Sequence, residues 1–177
     1  MTEARKRDTR IKRRTFSVLV ENEPGVLARV AGLFSARGFN IASLAVGETH
    51  DPTMSRMTIV VDGDDVVLEQ VNKQLNKIIP VVSVRALHDD DCVSRELLLV
   101  KVKRSEEALR YVGKTPKERH VQIIDESPEH YILQAVISAG DTSAFLKELE
   151  AFGVTELSRT GQVAMAKKYR VGIQAPH

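Results

Sequence analysis

The sequence predicts an α+β protein built from two tandem ferredoxin-like βαββαβ domains. Three observations point there. Short β-branched runs alternate apolar and polar residues, apolar residues between those runs recur at helical spacing, and the whole order of elements repeats once after residue 88. The 177 residues leave room for two domains of roughly 80 residues each. Domains that small bury only about 60 % of their unfolded surface, so pairing with another copy is expected.

Arg14 to Glu21 reads as the first strand, with Phe16, Val18 and Val20 on one face. Asn22-Glu-Pro-Gly25 breaks it. Val26, Leu27, Val30, Ala31 and Phe34 then mark a helix that Arg37-Gly38 ends. Ile41 to Val46 is a second apolar run, and Met57, Ile59 and Val61 alternate with Thr58, Val60 and Asp62 in a third; Gly47 to Ser55 links them as a hairpin loop. Val67, Leu68, Val71, Leu75 and Ile78 line one stripe of a second helix, which Pro80 halts before the strand Val81 to Ala86. After Asp89-Asp90-Asp91 the order restarts. Strand Glu96 to Val102 leads to a helix from Ser105 to about Val112, strands Val121 to Asp125 and His130 to Ile137, a helix carrying Phe145, Leu146, Leu149 and Phe152, and strand Val154 to Leu157. The expected boundaries are a basic disordered tail over 1–13, one domain over 14–88 and a second over 89–177. In each, two helices cover one face of a four-stranded antiparallel sheet, and the uncovered sheet edges invite pairing.

Hydrophobic residues make up 42 % and charged ones 28 %, a soluble globular balance, and no apolar run approaches the ~18 residues that span a bilayer. A membrane-embedded protein is excluded. The single cysteine, Cys92, excludes an internal disulfide and fits a reducing compartment, the cytoplasm or an organelle interior. Arg5, Lys6, Arg7, Arg10, Lys12, Arg13 and Arg14 crowd the start although the net charge is only +2. With no aromatic residue to stack on bases, such an arm reads as a solvated tail rather than a nucleic-acid-binding element.

Catalytic signals are scarce. Gly113-Lys114-Thr115 lacks the glycine five positions earlier that a phosphate loop needs, because Ala108 stands there. His50, His88, His120, His130 and His177 are scattered without helical metal-site spacing, and Cys92 sits beside acids rather than cations. Asp89 to Asp91 reads as a solvated connector, since three successive carboxylates cannot converge on one ion. The first loop has Glu23 and Pro24 and no arginine before Arg29, so a small phosphate-cleaving hydrolase on this fold ranks last. The informative stretch is Asn22-Glu-Pro-Gly-Val-Leu-Ala-Arg29, where a helix N-terminus offers backbone N–H groups and a partial positive charge to a carboxylate. Gly25 lets a ligand approach closely, and Val26, Leu27 and Ile41 could enclose a small aliphatic group. From these residues alone the simpler account is that Asn22 caps the helix and Pro24-Gly25 turns the chain; the physics permits an amino-acid site without demanding it.

The run from Phe16 through Asn22-Glu-Pro-Gly-Val-Leu-Ala-Arg29 to Gly38-Phe-Asn-Ile41, followed by Ser43-Leu-Ala-Val46 and Ser55-Arg-Met-Thr-Ile59, resembles the ACT domain of the acetohydroxyacid synthase (acetolactate synthase) regulatory subunits. The Pro-Gly loop and the Gly-Phe-Asn-Ile lead-in to strand two are shared by many amino-acid sensors. Ser55-Arg-Met-Thr58, Leu68-Glu-Gln-Val-Asn-Lys-Gln-Leu-Asn-Lys77 and Val93-Ser-Arg-Glu-Leu97 narrow the resemblance to this family. Residues 14 to 102 match closely. The second half matches through Ile123-Ile-Asp-Glu-Ser-Pro128, Phe152-Gly-Val154 and Arg159-Thr-Gly161, and departs where the family carries a longer helix and a Phe-Arg pair, for here Arg119-His120 stands.

The resemblance implies a regulatory subunit with no active site and no cofactor of its own. It implies a catalytic large subunit as partner, one that carries thiamine diphosphate, Mg and FAD and joins two 2-keto acids early in branched-chain amino-acid synthesis. It also implies activation of that partner, a homodimer, and feedback inhibition by valine or another branched-chain amino acid bound where two ACT domains pair. Carried over, Asn22, Pro24, Gly25, Val26 and Leu27 of one chain bracket the ligand's charged end, and Asn40 and Ile41 of the other chain meet its amino group and side chain. The loop Gly47 to Arg56, with Thr49, His50, Asp51, Pro52 and Arg56, is the expected contact with the catalytic subunit. The alternative is a freestanding ACT-type sensor or a nucleic-acid-binding regulator working through the basic arm.

Overall fold

Contacts in the computed structural model, which describes residues 11–167, separate two units: 11–93 together with 164–167, and Ser94–Val163. The sequence places everything after residue 88 in one domain, whereas residues 89–93 and 164–167 group with the first unit. Of the expected basic tail, residues 1–10 lie outside the described residues, as does His177.

The first unit runs β1 (Lys12–Glu21), α1 (Val26–Ala36), β2 (Ile41–Glu48), β3 (Met54–Gly63), α2 (Asp65–Leu75) and β4 (Val81–Leu87). Its antiparallel sheet has the order β2-β3-β1-β4. Phe16, Val18, Val20, Met57, Ile59 and Val61 on one sheet face pack against Val26, Val30, Phe34, Leu68, Val71 and Leu75 of the helices, all buried. Each such side chain contributes about 1.5–3 kcal/mol by leaving water, which is why the alternating and helical patterns were legible.

β1 begins two residues before the expected Arg14, and so corrects the tail boundary at residue 13. The reason is charge pairing: the Lys12 ammonium donates to Asp65 at the start of α2 at 2.8 Å, and across the sheet Arg13 donates to both Asp62 oxygens at 2.8 and 2.9 Å. The Arg13 contact holds the Asp62 carboxyl below its ordinary range. β2 and β3 also extend further than expected, leaving only residues 49–53 as the hairpin loop. α2 is capped by Asp64, whose side chain accepts the Val67 N–H at 2.8 Å, and it ends at Leu75, before Ile78. Gly63 is obligatory at that turn: a Cβ there would lie 2.6 Å from a Val67 methyl.

The second unit repeats the plan after a 3₁₀ turn at Asp89–Asp91: β5 (Cys92–Lys103), α3 (Glu106–Lys114), β6 (Gln122–Glu126), β7 (His130–Ile137), α4 (Thr142–Glu150) and β8 (Val154–Arg159), with order β6-β7-β5-β8. Leu98, Val100, Val102, Tyr131, Leu133, Ala135 and Ile137 meet Ala108, Phe145 and Leu149 in its core. A final strand that the sequence did not announce, β9 (Val163–Ala166), pairs with β5. No helix among the described residues is long and apolar enough to cross a membrane.

Candidate functional site

The β1–α1 corner carries the strongest chemistry. Gly25 is the N-cap of α1 at φ 87° and ψ −5°, a left-handed conformation costing an L-residue about 1–2 kcal/mol. No side chain caps this helix and no acid stands in its first turn. Gly25 O accepts the Arg29 N–H at 3.0 Å and Glu23 O accepts the Val26 N–H at 3.4 Å. Helix geometry leaves the N–H groups of Leu27 and Ala28 with no intrahelical acceptor, so the corner presents donors and a positive dipole end. α2 and α3, by contrast, are capped by Asp64 and Ser105 and carry acids in the first turn.

Asn22 does not cap α1. Its backbone N–H donates to Thr53 O at 2.7 Å, its side-chain NH2 donates to Pro52 O at 2.9 Å and to Glu48 Oε1 at 3.1 Å, and its side-chain oxygen accepts from Ser55 Oγ at 3.1 Å. It therefore staples the corner to the β2–β3 loop. Pro24 and Gly25 are exposed, Leu27 is 46 % exposed, and Val26 turns into the core at 3 %. Val26 thus offers a ligand its backbone, not its side chain.

Asn40 is exposed and Ile41 half-buried against the core. The register puts them far from the corner. Ile41 faces Val61, which faces Arg14 at the start of β1, while Glu48 faces Ser55, which faces Val20 near its end. From Arg14 to Asn22 the strand advances roughly 26 Å at its usual rise per residue. Within one chain, the two halves of the expected site lie at opposite ends of the sheet.

The loop 49–53 is braced from within. Thr53 donates through its N–H at 2.9 Å and its hydroxyl at 2.6 Å to Asp51 Oδ1, and the Thr49 hydroxyl donates to Asp51 O at 2.9 Å. The Thr53 hydroxyl, then its N–H, pull the Asp51 carboxyl below its ordinary range. Thr49, His50, Asp51 and Pro52 thus form one turn. Arg56 lies apart on β3, donating to Ser17 Oγ at 3.0 Å.

In the second unit Arg119 donates to both Glu148 oxygens at 2.7 and 3.1 Å with its guanidinium 5.6 Å from the Phe145 ring centre, and the Tyr111 hydroxyl donates to the same carboxylate at 2.6 Å. Burial, then Glu148, push the Tyr111 phenol up to about 12. Beside it His120 adopts φ 43°, and a cleft of about 730 Å³ is lined by Lys117, His120, Gln122 and Gln134 among others. Among the described residues no group of three or more His, Cys, Asp or Glu could hold a metal ion. His130 pairs with Ser127 Oγ at 2.8 Å and His88 with Arg14, so neither belongs to a ligand cluster.

Known proteins resemble the chain along nearly all of the described length. Residues 16–83 match the family model of the acetohydroxyacid synthase (AHAS) small subunit-like ACT domain, and residues 95–168 that of the small subunit of acetolactate synthase. The acetolactate synthase small subunit of Mycobacterium bovis is 47 % identical over 156 residues, covering 88 % of this chain and 93 % of the relative. The probable acetolactate synthase small subunit of Archaeoglobus fulgidus is 46 % identical over 153 residues, covering 86 % and 96 %. The crystal structure of the Thermotoga maritima small subunit superposes with a TM-score of 0.78 at 37 % identity, over 89 % of this chain and 99 % of that one.

Proposed function

This chain belongs to the acetolactate synthase small-subunit family, and from that premise we propose that it is the non-catalytic regulatory subunit that activates the thiamine-diphosphate catalytic subunit. Valine or another branched-chain amino acid, bound where two ACT domains pair, inhibits the assembled enzyme. The catalytic large subunit carries the thiamine diphosphate, Mg and FAD.

The observation that carries the reading is the separation of the two half-sites along β2. That strand is an edge of its sheet, eight residues long, and its one charge is Glu48 at the end. Edge strands of that kind invite a second strand. A two-fold antiparallel pairing of β2 with its copy sets the Ile41 end of one chain against the Glu48 end of the other. Asn22 ties that Glu48 end to the β1–α1 corner, so the pairing supplies Asn40 and Ile41 in trans to Pro24, Gly25, Val26 and Leu27. Asn22 acts by holding the corner, the backbone N–H groups receive the carboxylate, and charge-assisted bonds of this type contribute about 1.5–3 kcal/mol each. The turn of Thr49, His50, Asp51 and Pro52, with Arg56 behind it, is the proposed contact with the catalytic subunit.

Gly25→Asp and Asn40→Ala are expected to abolish feedback inhibition while activation of the catalytic subunit persists. Calorimetry decides: unchanged valine, leucine and isoleucine affinities in both variants would remove the assigned pocket. Deleting Thr49 to Thr53 should lower activation, and undiminished activation would dismiss that turn as the docking element.

A further inference from the structure

The chain leaves the first unit after Val93 and returns to it at Ala164, so the second unit is attached by both of its ends. The returning strand is fastened, not merely adjacent. Ala164 N–H donates to the hydroxyl of buried Thr58 at 3.4 Å, and Ala164 itself, 3 % exposed, packs with Leu87 and Cys92 while Ala166 flanks them. Beyond β9, Lys167 donates its N–H to Asp91 O at 2.8 Å and its ammonium to Asp90 O at 3.0 Å.

Thr58 is the informative anchor. It lies between Met57 and Ile59, whose side chains enter the helix-covered core, so its own points to the other face of β3. Across the sheet it faces Ala45 in the middle of β2 and Ser17 in β1. β9 is therefore tied to the sensor sheet one strand in from the edge at which two copies are proposed to meet. Any reorientation of the two sheets about that edge moves β3, and β3 carries Ala164 with it. Only three residues, Thr160 to Gln162, separate β9 from β8 of the second unit.

We propose that β9 is a strap that conveys the state of the effector site from the ACT sheet to the second unit, by way of the Ala164–Thr58 tie. The proposal rests on the effector reading given above. It gives Thr58 and Ala164 a positioning role in regulation: neither touches the amino acid, and both decide whether its binding is felt elsewhere in the chain. The physical requirement for such coupling is an element whose position both sites bias, and a strand hydrogen-bonded to one unit and continuous with the other meets it.

The test uses the full chain assembled with its catalytic subunit, with three variants: Thr58→Val, which keeps the shape and removes the acceptor; Ala164→Pro, which removes the donor; and a chain shortened after Gln162. Calorimetry with valine, leucine and isoleucine, activation without amino acid, and inhibition with it are measured in parallel. The expected result is amino-acid binding and activation close to those of the unaltered chain, with the inhibition factor reduced about fivefold or more, a typical allosteric coupling. Full inhibition in Thr58→Val and Ala164→Pro would overturn the strap and leave the sensor reading standing, whether or not the shortened chain folds. An unaltered chain that binds none of the three amino acids would overturn the sensor reading, and the strap with it.

Discussion

The two units share one plan and differ in what they leave open. In the first, β2 is an edge of eight residues whose one charge is Glu48, and α1 starts at Gly25 with no side-chain cap. In the second, the equivalent edge β6 has five residues, two of them acids. Its other edge, β8, carries Glu156 and Arg159. α3, which occupies the place of α1, is capped by Ser105, whose side chain accepts the Ala108 N–H at 3.0 Å, and has Glu106 and Glu107 in its first turn. Short length and charges are how a sheet edge avoids pairing, and a side-chain cap occupies one of the helix start's free donors. On the proposed reading, the same fold serves association and ligand capture in one unit and self-satisfaction in the other. Function resides in edges and helix starts, not in the architecture.

The sharpest way to break this comparison is to attack the second unit's internal closure. Glu96, 2 % exposed, accepts two bonds from Arg159 at 2.5 and 2.9 Å and one from the Thr142 hydroxyl at 3.1 Å. Arg159→Met leaves that carboxylate buried without its counter-charge, at a cost of about 3 kcal/mol, moderated by the exposed arginine side chain. Urea unfolding is expected to show the loss, with amino-acid binding by the first unit retained. A loss under 1 kcal/mol would mean that this pair is not what holds β5, β8 and α4 together.

The next largest effect belongs to the edges. Val46 on β2 and Ile124 on β6 are similarly exposed, at 46 % and 47 %. Val46→Lys should weaken the dimer about thirtyfold, or ~2 kcal/mol, whereas Ile124→Lys should leave its sedimentation unchanged. Equal behaviour of the two would erase the distinction between a pairing edge and a blunted one.

Helix starts give a smaller, more discriminating contrast. Gly25→Ala finds open space around its Cβ and pays only for the left-handed backbone, about 1 kcal/mol. Ser105→Ala loses its cap for a similar ~1 kcal/mol. Thermal unfolding should rank them together, but only Gly25→Ala should weaken amino-acid binding.

Legibility followed the periodicity of burial. β1, α1, β3, α2, β5, β7 and α4 alternate or repeat because one face of each is buried, and every one could be read. β9 could not: Val-Ala-Met-Ala is four residues long, without polar alternation, and its partners Thr58, Leu87 and Cys92 lie far back in the chain. The corner at Gly25 was legible because a Pro-Gly break before a helical stripe has few other uses. The sequence makes Asn22 a cap or a ligand contact, whereas its four hydrogen bonds go to Glu48, Pro52, Thr53 and Ser55, since loop closure by a distant hairpin leaves no local spacing to read. Val26 turns into the core, and its sequence position does not say so because an apolar residue at a helix start suits a pocket and a core equally well.

The smallest expected effect concerns the contacts of Arg119 and Tyr111 with Glu148. Arg119 and Tyr111 share Glu148, and the Tyr111 phenol is pushed up to about 12 by burial first and by Glu148 second. The folded state therefore holds this proton more tightly than the unfolded chain does. Its contribution is fully present below the ordinary tyrosine value near 10 and is lost as pH rises from there to about 12. Because Tyr111 is only partly buried, solvent screening brings the expected difference down to about 1 kcal/mol. Unfolding measured at pH 8 and at pH 11 should show a loss in the unaltered chain that exceeds the loss in Tyr111→Phe by that amount. Identical losses would mean that neither burial nor Glu148 makes the folded chain hold the Tyr111 proton more tightly than the unfolded one.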